Sequence, residues 1–571
     1  MRASRLLMLA ALLALVPGPD VYASAGPATV PEPSGTDVGE FPLVDSAIGQ
    51  RLALPAGPGG LVQVHDFVLD AGRIVTLNLE AFEAWAPDAE IVDFGVDGPK
   101  RLPPPADRYY KGTVAGEPGS LVFLAAGRTL RGLVFSGDDV YAIAPEGGAY
   151  DVRAADSVTR VRKIDPDRDR PPDLPEFFCS EDELTTPPRL DTLTLNARPA
   201  SAPLYTSTVY VATIAVETDY ELYAKFSSSA ALTQYVGDLV AASSAIYQRD
   251  IQVRKSLGTL HIYSGGASSD PWTQTSPSGA LYQLGDYWHA NYPIASNPRS
   301  TVHFLSGKSG GGGIAWLGAL CMADFLCGAS NCGSAAASGH YAGAYGVSMS
   351  LYGQFSTTNP SLYWDILCFS HEVGHNFNSP HTHCYSPPVD TCCPCEPASS
   401  SDCQGPVPAE KGTIMSYCHL RPPGYSSIKF YLAVPAESSV AVYNRMRTFV
   451  ESPTIVACLP VYSGVAPTVT LVSPAQGSTA GGTSVTITGT NFVAGATVTF
   501  GGTAATGVSV GSATSISATT PAHAAGLVNV VVTNPDSQAG ALASGFRYVT
   551  APAVTAVSPN AGPTSGGTSV T

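Results

Sequence analysis

Between His371 and His381 the chain sets three histidines and a glutamate at offsets that one local shape can use together: His371-Glu372-Val373-Gly374-His375-Asn376-Phe377-Asn378-Ser379-Pro380-His381. A helix turns every 3.6 residues, so His371 and His375 lie one turn apart on one face. Their ring nitrogens can meet one ion at about 2.0–2.1 Å. Glu372 is rotated by about 100° and reaches instead toward a water on the open side of that ion. His381 is too far along a continuous helix to face the same point, so the helix must stop and the chain must turn back. Asn378 sits where that turn is needed, because after Gly it tolerates the left-handed conformation best. Pro380 then keeps the helix from resuming. Three neutral imidazoles leave one tetrahedral position for water, which is the catalytic rather than the structural zinc pattern. The expectation is one zinc ion on His371, His375 and His381, with Glu372 as general base.

The surroundings agree with an exported protein. Arg2 and Arg5 precede the apolar run from Leu6 to Val16, and Ala23-Ser24-Ala25 supplies small residues for cleavage. This reads as a signal peptide over 1–25. No later stretch spans a bilayer, so no transmembrane segment is expected. Twelve cysteines are present, and all but Cys179 lie between Cys321 and Cys458. In an oxidising compartment such a cluster forms disulfides, with connectivity not readable from sequence. A second zinc site built from Cys392, Cys393 and Cys395 with His383 or His419 is the alternative. The net charge of −16, with no basic block, argues against nucleic acid as a partner.

At 571 residues the chain is too long for one core. Residues 61–150 alternate in short β-like runs, and Arg153 to Pro175 reads as a charged, Pro-rich exposed connector suited to proteolysis. Over 204–460 strands and helices mix. Val209–Val216 predicts a buried strand, Ala231–Arg249 an amphipathic helix, and Ser278–Asn291 a helix with Ser278 as N-cap. Thr301–Leu305 is strand-like, and a helix over Glu437–Val450 closes the region. After Val465 cysteine vanishes and a repeat appears. Pro467-Thr-Val-Thr-Leu-Val-Ser-Pro474 returns as Pro552-Ala-Val-Thr-Ala-Val-Ser-Pro559, and Gly481-Gly-Thr-Ser-Val-Thr486 returns as Gly566-Gly-Thr-Ser-Val-Thr571. Each copy predicts a small β-sandwich, and the second stops short, as in a piece of a longer protein.

The histidine segment resembles the metzincin zinc peptidase signature, with Asn378 in place of its usual Gly. Gly412-Thr413-Ile414-Met415-Ser416-Tyr417 resembles the methionine turn of that group. The resemblance makes Met415 the apolar floor under the imidazoles and Tyr417 a candidate fifth ligand or transition-state donor. His-Glu-x-Gly-His-Asn-Phe with a cysteine-rich loop after His381 is most similar to the reprolysin (adamalysin-like) branch. That branch has Asp after the third His; here Thr382 stands there. Gly313-Ile314-Ala315-Trp316 resembles the edge strand that pairs with extended substrate. Arg108-Tyr-Tyr-Lys-Gly-Thr-Val114 and Leu130-Arg-Gly-Leu-Val134 resemble reprolysin propeptides. In such propeptides a cysteine thiolate often blocks the metal, a role for which Cys179 is the candidate, against a disulfide or a free thiol. The repeat after Val465 resembles IPT/TIG domains.

The implied chain is multidomain: signal peptide 1–25, β-rich propeptide 26–200, α/β metzincin-type catalytic domain 201–460 with active-site helix and Met-turn, an Ig-like IPT/TIG β-sandwich over 466–549, and the start of a second, truncated repeat over 551–571. The implied function is a secreted zinc metalloendopeptidase, made as a zymogen and acting on protein or peptide substrates, with a cell-surface or matrix ligand for the Ig-like modules. The alternatives are an adhesin in which the peptidase region is secondary, and a zinc hydrolase of non-peptide amides or esters.

Overall fold

Alternation of apolar and polar residues governs the N-terminal part. In the strand Arg73–Phe82, Leu77, Leu79 and Ala81 are buried and the residues between them are half-buried, the period-2 pattern of a strand facing one core. The computed structural model describes residues 39–43, 50–54, 61–70, 72–145, 148–150, 159–172, 208–328, 332, 337–395, 400–433, 440–462, 466–493, 495–512, 514–534, 538–550 and 554–571. The signal peptide and Cys179 therefore lie outside the described residues.

Among the described residues, eleven strands precede residue 165: β1 (Gly39–Leu43), β2 (Gln50–Leu54), β3 (Leu61–Asp70), β4 (Arg73–Phe82), β5 (Trp85–Gly95), β6 (Gly98–Leu102), β7 (Arg108–Val114), β8 (Glu117–Ala126), β9 (Leu130–Ser136), β10 (Asp139–Pro145) and β11 (Thr159–Ile164). Nine form one sheet in the order β2-β1-β11-β10-β9-β8-β7-β4-β3. Its central strands are buried on both faces. Val122, Leu124, Val134 and Ile143 enter one core, while Leu121, Phe123, Leu133 and Ala142 enter another. Strand β11 corrects the expectation of an exposed connector over Arg153–Pro175. It pairs antiparallel with β10, and Thr159, Val161 and Ile164 point inward between Arg160, Arg162 and Lys163. The density of charge masked that alternation.

The next region runs β12 (Tyr210–Thr218), α1 (Tyr220–Tyr223), α2 (Ser229–Ile251), β13 (Val253–Ile262), α3 (Pro277–Asn291), β14 (Thr301–Leu305), β15 (Gly313–Ala315), β16 (Phe325–Leu326), β17 (Tyr341–Ala342), β18 (Tyr345–Ser348), α4 (Leu362–Asn376), α5 (Val440–Val450) and α6 (Pro453–Val456). The expected strands over 209–216 and 301–305 form, as do the helices over 231–249 and 278–291. The N-cap of α3 is Ser276, which accepts from Gly279 N, and not Ser278. Pro277 at the first helical position moves the start upstream.

The main sheet has the order β15-β18-β14-β12-β13-β5-β6. Strands β18, β14, β12, β13 and β5 run parallel to one another, while β15 and β6 close the two ends antiparallel to β18 and β5. Ala212, Ile214 and Val216 face α2 and α4, while Ala215 faces α3. Helices thus cover both faces, as parallel sheets require. Between Thr468 and Val549 four- and five-stranded sheets enclose a separate core that includes Ile487, Phe500, Ile516 and Phe546. This is the expected sandwich.

Candidate metal centre

Helix α4 is buried along its whole length, so it is an interior helix whose few polar side chains must find partners. Asp365, in its first turn, accepts from Tyr352 N, Gly353 N and the Tyr235 hydroxyl at 3.0, 3.0 and 2.8 Å. Asn376, at its last turn, donates to Trp316 O and Tyr345 O at 2.9 and 3.0 Å and accepts from Thr301 Oγ1 at 2.9 Å. The helix is thereby pinned to α2 at one end and to the sheet at the other. It stops as the sequence implies. Asn378 has φ 69°, and its N–H donates to His375 O while Ser379 N donates to Gly374 O. The second of these is the six-to-one bond of a Schellman motif. Arg445, on α5, clamps the turn by donating to Asn378 O at 2.6 Å.

The return brings His381 against the helix. His371, His375 and His381 offer ligand atoms that all lie within 4.8 Å of one another. The Nε2 atoms of His371 and His381 are 3.2 Å apart. His371 Nδ1 donates to Ile414 O at 2.7 Å and His375 Nδ1 to Ser379 O at 2.8 Å. Both rings are thus fixed in the tautomer that leaves Nε2 a lone pair toward the common centre. Burial holds all three below the ordinary histidine range, with His375 lowered to about 4 and the other two well below 6.5. They are neutral at neutral pH, as metal ligands must be. Lone pairs facing each other at this distance repel unless a cation lies between them. The spacing matches that of two ligands on a tetrahedral ion with bonds of about 2.0–2.1 Å. The donor set therefore fits zinc.

Two glycines make room for Met415 and Glu372. A Cβ on Gly374 would lie 2.3 Å from Met415 Sδ, so the absence of a side chain there lets Met415 seat beneath the helix. A Cβ on Gly313 would lie 2.6 Å from Glu372 Cγ, so strand β15 presses directly on the glutamate. Met415 is fully buried, and its turn is closed by Ser416 N to Thr413 O and Met415 N to Thr413 Oγ1. The Tyr417 ring centroid lies 4.2 Å from that of His381 and 6.1 Å from that of His371.

The structure brings His371, Glu372, His375, His381, Met415, Tyr417 and Gly313 together. Ile314 and Trp316 follow on β15 and just after it, but their side chains pack into the core on the α3 side. The part of this edge that meets the site is Gly313 and backbone. His383 is buried 5.2 Å from both His381 and Tyr417 by ring centroid, but it is not in the ligand set.

The cysteine-based second zinc site is overturned. The pairs are Cys321–Cys458, Cys327–Cys332, Cys384–Cys395, Cys392–Cys418 and Cys393–Cys403. A sulfur in a disulfide has no thiolate to offer a metal. Cys368 is buried and free. Sequence reasoning missed Asp390. Thr382 N donates to Met415 O at 3.0 Å, and Thr382 Oγ1 donates to the Asp390 carboxylate. The carboxylate absent at position 382 is supplied eight residues on, and no local pattern marks it.

A family model described as metallo-peptidase family M12 matches residues 208–423, and one for the IPT/TIG domain matches residues 467–548. No curated protein matches the chain. Family M12 peptidases are zinc-dependent, which agrees with the donor set built above. Residues 208–423 of this chain are thus a metallo-peptidase family M12 domain, and an IPT/TIG domain follows it.

Proposed function

We propose that this chain is an exported zinc metalloendopeptidase, made as a latent precursor, with Glu372 as general base in hydrolysis of internal peptide bonds. The observation that carries the reading is the convergence of three neutral imidazoles, two with Nδ1 anchored on backbone carbonyls, beside a buried glutamate. A zinc ion on these nitrogens supplies Lewis acidity and a water that ionises near neutral pH. Glu372, walled by β15, accepts the proton of the attacking water on its carboxylate and delivers it to the leaving amine. Strand β15 ends the sheet and pairs on one side with β18. An extended peptide adds along its outer side through backbone hydrogen bonds, which favours internal bonds of an unfolded stretch over chain ends. Tyr417, whose ring centroid lies 4.2 Å from that of His381, would steady the carbonyl oxygen as charge develops.

Latency is supported by burial. His371, Glu372, His375 and His381 are at most 2% exposed in the full chain, in keeping with a site closed in the precursor. Export is supported by the five disulfides, and no helix among the described residues is long and apolar enough to cross a membrane. The IPT/TIG domain is compatible with an adhesin in which the peptidase is secondary; retention of all three histidines and the glutamate favours catalysis.

The test is cleavage of casein and a peptide library by the intact chain and by the chain cut near residue 200. Chelator-sensitive cleavage of internal bonds, greater after the cut and abolished in Glu372→Ala, is expected. Cleavage that survives chelator would overturn the metal reading. Equal activity before and after the cut would remove latency.

A further inference from the structure

The segment that resembles a propeptide does not merely sit on the peptidase unit. Strands β5 and β6 extend its sheet: β5 runs parallel beside β13, with Thr259, Leu260, His261 and Ile262 in register with Glu90, Ile91, Val92 and Asp93. Leu257 N donates to Ala84 O at 2.8 Å, and Arg254 Nε to Glu83 O at 3.1 Å. On the sheet face, α2 lies on β7, β8 and β9. Gly237 is the contact point, where a Cβ would lie 2.5 Å from Tyr109 Oη and 3.2 Å from the Trp85 ring. Next to it, Arg131 of β9 forms a two-pronged ion pair with Asp238 of α2 at 2.7 and 3.0 Å. Asp107 and Tyr150 complete the cluster, and both Arg131 and Asp238 are fully buried. One continuous apolar core includes Phe82, Trp85 and Phe123 from one side and Tyr235, Val236 and Leu239 from the other.

We propose that the N-terminal β unit, residues 39–170, is a lasting half of the folded peptidase, and that it stays docked after the chain is cut between residues 173 and 207. Undocking would strip β13 of its edge partner, expose a shared core and leave Asp238 without its cation. Exposing the shared core and opening the β13 edge are the unfavourable terms, whereas Asp238 and Arg131 regain water on separation, so their ion pair fixes the docked register more than it adds strength. Docking also leaves the substrate edge clear. In the order β15-β18-β14-β12-β13-β5, β5 lies five strand steps from β15, or about 24 Å at about 4.8 Å per step. Retention of the unit is therefore compatible with an open metal site, and activation needs removal of something other than this interface. The inference goes beyond the peptidase reading and does not depend on it, because it concerns assembly.

The experiment uses the full chain carrying Cys179→Ser, to exclude a thiol tether, and a recognition site for a sequence-specific protease inserted near residue 190. After complete scission, size-exclusion chromatography is run in chelator at low and at about 1 M salt, where surface ion pairs are screened. Co-elution of the two fragments at both salts, with amide protection retained at Leu257, is expected. Two separate peaks, with the larger fragment still folded by circular dichroism, would overturn the proposal. Arg131→Met in the same nicked chain should weaken association on the order of a hundred-fold or more. Association unchanged by that substitution would overturn the assigned interface. Peptidase activity is measured in parallel, so a dead but associated complex counts against the peptidase reading alone.

Discussion

Gly313→Ala separates the positioning of Glu372 from the binding of metal. The added Cβ would stand 2.5 Å from Val347 O, 2.6 Å from Glu372 Cγ and 2.7 Å from Glu372 Cδ. Ordinary contact begins at 3.4 Å, so the glutamate must retreat by about 0.8 Å, or β15 must slide off β18 by a similar amount. Overpacking of this kind costs about 1–3 kcal/mol in stability, which lowers the melting temperature by a few degrees. A displacement near 1 Å of a catalytic group reduces rate on the order of 10- to 100-fold. Neither residue is a metal ligand, so zinc content should stay at one ion per chain. The assay is kcat/KM on a fluorogenic peptide for the chain cut near residue 200, with metal analysis and a thermal melt on the same preparation. Full activity with an unchanged melt would refute the claim that β15 positions Glu372. Loss of zinc along with activity would show that the substitution collapses the whole centre.

Gly374→Ala attacks the other side: its Cβ would lie 2.3 Å from Met415 Sδ, so weaker zinc retention against a competing chelator and a lower melt are expected, and unaltered values for both would refute the seat assigned to Met415. Thr382→Val keeps the shape but deletes the hydroxyl that donates to Asp390; a loss of about 1–3 kcal/mol by denaturant titration is expected, and no loss would remove Asp390 from the support of the turn. Burial, the main cause in each, lowers His303 to about 3 and His375 to about 4. Folded values below the unfolded value near 6.5 mean that the unfolded chain binds more protons at intermediate pH, so this stability is full above about pH 6.5 and declines toward the folded values. The decline is about 1.4 kcal/mol per pH unit for each residue. Denaturation of the metal-free protein at about pH 7 and about pH 5 should show it, and a flat profile would contradict the neutral buried state.

How much of this was legible depends on the range of the interaction. The helix over α4, its end at Asn378 and the return to His381 follow from offsets within eleven residues, where helical period and left-handed propensity are local properties. The sandwich after Val465 was legible for the same reason, since alternation and glycine turns repeat along the chain. Strand β11 was misread because its burial is imposed by β10 and β1, not by its own charged composition. Disulfide pairing, over separations from 5 to 137 residues, the support from Asp390, and the clearance at Gly313 and Gly374 rest on contacts that no local pattern encodes. No periodicity records which distant groups will meet. The union of the N-terminal strands with the main sheet belongs to this second class. Parallel strand pairing carries no sequence signature of its partner, and only closure of the tertiary fold sets β5 beside β13 and Arg131 against Asp238. The sequence determined which residues could bind a metal; the folded chain alone decided what holds them in place.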